Sequence, residues 1–91
     1  MSVNDEVLAC LKNGLQRIGA TIAQTSDVID FRLWSDDDMR TLGECVEECL
    51  SARGCNSGPL VGYFTQLEQG GISPTVANVV SDIVRMTKAV Q

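Results

Sequence analysis

Cys45 and Cys49 stand four residues apart with Glu44 and Glu48 in step beside them. On a helix, that spacing puts the two thiols on one face and the two carboxylates in the neighbouring row. Two thiols and a carboxylate are the beginning of a zinc set, but structural zinc sites draw their cysteines mainly from short CxxC turns. This 91-residue chain has no histidine and no CxxC, so the sequence names no metal and no cofactor. Redox chemistry is the other use open to Cys45, Cys49 and Cys55. Side chains one helical turn apart point in near-parallel directions, which suits a disulfide poorly and makes Cys55, beyond the helix end, the expected partner if one forms. With four cysteines and no secretory pattern, free thiols are the default expectation.

Catalysis finds less support. The usual general base is missing with histidine, and no serine or cysteine lies in a nucleophile motif such as GxSxG. Gly70 and Gly71 are followed by Ile72, Ser73 and Pro74 without the lysine of a phosphate loop. The paired carboxylates Asp36/Asp38 and Glu44/Glu48 are explained by helix dipole and solvation. The chain is expected not to be an enzyme.

Charge narrows the partners. Seven basic residues oppose twelve acidic ones, for a net charge of -5, and no basic run could neutralise successive phosphates. A helix-turn-helix reading fails on the same ground, because a recognition helix within 60–69 would carry no lysine or arginine and would present Glu68. Nucleic acid is therefore not an expected partner. No apolar stretch approaches the roughly 18 residues of a membrane span, and Lys12 and Arg17 interrupt the one region resembling a leader core. The expectation is a soluble, cytoplasmic protein with no membrane partner. A hydrophobic fraction of 44% favours a folded core, and the length favours one helical domain over 1–91.

Four helices are predicted to position these residues. Ser2 or Asn4 can cap the first, with Asp5 and Glu6 at its positive end, and no proline interrupts it to about position 32. Gly14 and Gly19 lie inside that span, either as weak spots or as places where another helix approaches closely. Ser35, followed by Asp36, Asp37 and Asp38, reads as the cap of a second helix over 36–53, with Trp34 and Met39 placed to form a hydrophobic staple. Asp38 replaces the usual glutamate of a capping box, which weakens its reciprocal half. Arg53 and Gly54 supply the stop. Pro59 opens a third helix over 59–69, ended by Gly70 and Gly71. Ser73 and Pro74 open a fourth over 74–90, with Val76, Val80 and Ile83 as its stripe, Val79 and Val90 flanking it, and Arg85 and Lys88 near its end. The fold class is all-α.

The first helix also carries a ladder: Leu8, Leu11, Leu15, Ile18 and Ile22, rejoined by Ile29. A continuous helix over about 28 residues is roughly 42 Å long, whereas a domain of this size is only about 30 Å across. One end would overhang, and a second copy is the simplest cover, so the ladder predicts a two-fold homodimer. The alternative is a break at Thr25, Ser26 and Asp27, which folds the ladder into a monomeric bundle.

Phe31 and Trp34 are the remaining candidates, as a structural staple or as anchors for a partner. Together with Asp36, Asp37, Glu44 and Glu48 they outline an acidic face suited to a protein with a basic surface. The leading functional expectation is a small acidic interaction module of adaptor, chaperone or inhibitor type. The alternative is a ligand-, metal- or redox-responsive helical sensor using Cys45 and Cys49, with Tyr63 as a further polar group.

Overall fold

Ser35 starts the best-defined element. Its side chain accepts the Asp38 amide at 3.1 Å while the Asp38 carboxylate accepts the Ser35 amide at 3.1 Å, so Asp38 completes the capping box despite being a methylene shorter in reach than glutamate. In this computed structural model, which describes residues 2–31 and 34–89, the helix that follows is Asp36–Ala52. It is the second of four. In chain order the elements are α1 (Val3–Arg17), α2 (Asp36–Ala52), β1 (Cys55–Asn56), α3 (Val61–Gln69), α4 (Val76–Met86) and β2 (Lys88–Ala89). The protein is an all-α, four-helix fold with, among the described residues, one two-stranded antiparallel pair, Cys55 opposite Ala89 and Asn56 opposite Lys88.

The continuous first helix to position 32 is not observed; its expected end lies outside the described residues, but the helix stops well before, at Arg17. Gly19 stops it. The residue sits at φ +81°, the left-handed conformation that glycine adopts without steric cost. Its amide is donated to the Gln16 carbonyl at 3.1 Å and that of Ala20 to Leu15 at 2.8 Å, the paired bonds of a Schellman stop. Thr25, Ser26 and Asp27 form a turn, with no helix restarting there. The Asp27 carboxylate accepts the Ala23 and Gln24 amides at 2.8 and 3.3 Å. This turn is joined to the start of α4: the Thr25 and Asp27 carbonyls accept the amides of Ala77 and Val76, both at 2.8 Å. Those are first-turn amides that lack partners within their own helix. Val28 then bridges to Thr75, and Ile29 donates to Pro74 at 2.8 Å.

Three further boundaries shift. The cap of α4 is Thr75, whose hydroxyl accepts the Asn78 amide at 3.2 Å, and not Ser73. The helix ends at Met86, because the chain turns extended at Thr87 and pairs with β1 instead of continuing; Val90 lies outside the described residues. α3 begins at Val61 with Leu60 before it. The Leu60 amide is donated to the carboxylate of Glu47 on α2, which ties the start of α3 to α2.

The core is one cluster. Val7, Leu11 and Leu15 of α1 meet Leu42, Val46 and Leu50 of α2, with Phe64 of α3 and Val76, Val79 and Ile83 of α4 closing it. Gly14 and Gly43 permit the closest approaches. A Cβ on Gly14 would lie 2.8 Å from Leu42 Cδ1, and one on Gly43 would lie 2.9 Å from the Val61 Cα and amide nitrogen.

Candidate functional site

The seam between α1 and α2 carries most of the chemistry. Cys10 of α1 and Cys49 of α2 are joined by a disulfide with their Cα atoms 5.5 Å apart. Free thiols throughout, and Cys55 as the partner of any disulfide, were the expectations; both are overturned at this bond. Cys10 is fully buried, whereas Cys49 is partly open to solvent. Cys45 and Cys55 remain free, the first half-exposed and the second buried. Cys45 lies one turn before Cys49 and accepts the Asn13 side-chain amide at 3.8 Å, which places both sulfurs against α1. Beside Cys45, a polar cleft of about 180 Å³ is lined by Arg17, Thr41, Glu44 and Glu48. Among the described residues, no three or more histidine, cysteine, aspartate or glutamate side chains converge as a metal site.

The ladder expected to join two copies lies mostly within one. Leu11, Leu15 and Ile29 are buried in the chain's own core, and Leu8, Ile18 and Ile22 are partly buried against it. Ile22 and Ile29 get there from the connecting segment rather than from a helix, so their agreement with the helical spacing has no helical cause. α1, at 15 residues, is about 22 Å long, and the molecule measures 37 × 24 × 22 Å. Nothing overhangs.

Phe31 does not stand where a partner could reach it. It is 1% exposed, edge-on to Trp34 with ring centroids 5.2 Å apart and tilted against Phe64 at 5.9 Å. Trp34 is half-buried and borders a recess of about 230 Å³ with Leu15, Ile22, Val28 and Asp30. Val28, at 60% exposed, is the most open large apolar side chain among the described residues. Asp36, Asp37, Glu44 and Glu48 are all exposed, and among the described residues none of them is ion-paired. A second groove, about 310 Å³, runs between α1 and α4 over Leu8, Val80 and Val84 with Asp5 and Arg85 at its rim.

Tyr63 is placed by a different logic. Its hydroxyl donates to Asp82 at 2.8 Å, and Arg85 pairs with the same carboxylate from the other side. Burial, and then the neighbouring Asp82 carboxylate as bond partner and as charge, push the phenol well above its ordinary range despite the opposing effect of Arg85. The group stays protonated and serves as a link between α3 and α4. Sequence reasoning missed Cys10, Asn13 and this triad, because each depends on which helices become neighbours. For Cys10 one signal was present: it follows Val7 and precedes Leu11 on the apolar side of α1.

Across all three comparisons, no protein-family model, no curated protein and no solved structure matches this chain.

Proposed function

We propose that this protein is a small acidic interaction module, without catalytic chemistry of its own, that holds a protein with a basic surface against the exposed side of α2. The observation that carries the reading is the row Asp36, Asp37, Glu44 and Glu48. All four carboxylates are exposed, and none forms an ion pair among the described residues. The exposed Arg40 lies among them, one turn from both Asp36 and Glu44, and the net acidic face that remains raises the association rate of an oppositely charged partner and suppresses wrong ones. Trp34 and Val28, beside the start of that helix, add apolar contact at one end. Tryptophan is among the side chains enriched at the residues that dominate interface energetics.

The homodimer expected from the ladder loses its geometric reason, since α1 ends at Arg17. Of the ladder, only Leu8, Ile18 and Ile22 are left partly open for any self-association. The module is therefore proposed to meet its partner as a single chain in the cytoplasm; no described helix is long and apolar enough to cross a membrane.

The test is affinity capture from the native host, read by mass spectrometry, with the chain and a D37K/E44K/E48K variant side by side. The reading requires a reproducible basic protein whose recovery falls as salt rises, as screening of surface charge demands, and which the variant fails to retain while keeping its helical circular dichroism. Equal recovery by both chains, or no reproducible protein at all, rejects it.

A further inference from the structure

The Cys10–Cys49 bond is asymmetric in a way a purely structural staple need not be. Cys10 is sealed in the core, whereas Cys49 is a partly exposed residue packed against it. The free Cys45 one turn away lines an open polar cleft, so thiol-sized reagents have access to this edge of α2. The seam also does not depend on the bond for its register. Gly14 lets α1 settle onto Leu42 and Val46. Val7, Leu11 and Leu15 interlock with α2 in the shared core. Four residues beyond each cysteine, outside the chain segment that the bond closes, Arg53 pairs with Glu6 at 2.6 Å.

From these observations we infer that the Cys10–Cys49 disulfide is a reversible redox lock on the α1–α2 seam, opened from the Cys49 side by a small dithiol while the four-helix fold stands. The first thiolate of the dithiol attacks the sulfur of Cys49, the partly exposed residue of the pair. The protein disulfide breaks, and Cys10 leaves as a thiolate that takes up a proton. The second thiolate of the reagent then attacks its own sulfur in the mixed disulfide, closing a cyclic disulfide and releasing Cys49 as a thiol. One dithiol is oxidised and one protein disulfide is reduced; a disulfide oxidant runs the same steps in reverse. What changes in the protein is the tether between Cys10 and α2. Leu8, two residues before Cys10, floors the groove between α1 and α4, so release of the tether loosens one wall of that groove.

The experiment uses the full chain purified in air, with dithiothreitol as the probe and no denaturant present. Alkylation after denaturation is expected to count two free thiols before treatment and four after it. Helical ellipticity is expected to persist. The thermal midpoint should fall by roughly 10 to 25 °C, the shift expected when one disulfide is lost from a domain of this size. Amide hydrogen exchange should quicken around Val7–Leu11 more than in α3, and removal of the reductant with oxidised glutathione added should restore both midpoint and protection. Four thiols in the untreated protein overturn the proposal. So does resistance to dithiothreitol without denaturant, or loss of helical signal on reduction. The C10A/C49A chain provides a second check: it must fold and match the reduced protein in midpoint and exchange, and failure to fold rejects the lock as surely as failure to reduce.

Discussion

At the scale of single residues, two buried glycines make opposite demands on a methyl group. A Cβ at Gly14 meets the far end of Leu42, a side chain able to rotate, whereas a Cβ at Gly43 meets the backbone of Val61. Alanine gains about 1 kcal/mol of helix propensity at either position, and forcing apart packed elements costs about 1–3 kcal/mol. G14A is therefore expected to leave stability within about 1 kcal/mol of the parent, while G43A, at the upper end of that cost, loses up to about 2 kcal/mol net; urea midpoints at constant slope measure both. Tyr63 gives the molecule an alkaline limit. Its phenol titrates higher in the folded chain than in the unfolded one, so its contribution is present in full below the unfolded value near 10 and disappears as pH rises beyond it. Y63F should cost about 0.5–1.5 kcal/mol at neutral pH through the lost bond to Asp82. It should also flatten the decline above about pH 10, seen by repeating the denaturation series there.

At the scale of elements, the cap chemistry of α2 is written locally and could be read as such. Ser35 with its three following aspartates and Arg53 with Gly54 fix both ends within one residue of the observed helix. α1 was harder for a physical reason. Its apolar spacing continues through Ile18, Ile22 and Ile29 by coincidence of a meandering segment that also has to bury alternate side chains, and no proline marks the stop. A glycine is the only punctuation, and glycine inside a helical pattern is ambiguous until the backbone bonds around it are known. G19A resolves the matter experimentally. Placing a Cβ at φ +81° should cost about 1–2 kcal/mol, whereas a glycine inside a continuous helix would be stabilised by the same change. The disulfide was illegible for a related reason, since Cys10 and Cys49 are brought together by the antiparallel run of two helices across 39 positions and by nothing in the spacing of either. The exposed carboxylates of α2, by contrast, follow from helical periodicity alone and were read in place.

At the scale of the whole molecule, charge and closure work together. A chain whose ladder is satisfied internally has little apolar reason to pair with itself, and its net charge of -5 opposes self-contact. Light scattering on a size-exclusion peak at tens of micromolar is therefore expected to return a mass near 9.8 kDa, and a peak at twice that value would restore the dimer. The meeting of the Thr25 to Ile29 segment with the start of α4 also has a consequence in time. α2 and α3 are neighbours along the chain and are tied by Glu47 and Leu60, 13 positions apart, so their loop closes early and at small entropic cost. The bridge between Val28 and Thr75 spans about half the chain, and the first two amides of α4, those of Val76 and Ala77, have partners only once the Thr25 to Asp27 turn has docked beside it. Folding is thus expected to begin on the α2–α3 hairpin and to finish with α4. Conservative substitutions at Leu42 and Phe64 should slow refolding, whereas T75A should leave the refolding rate nearly unchanged and speed unfolding instead.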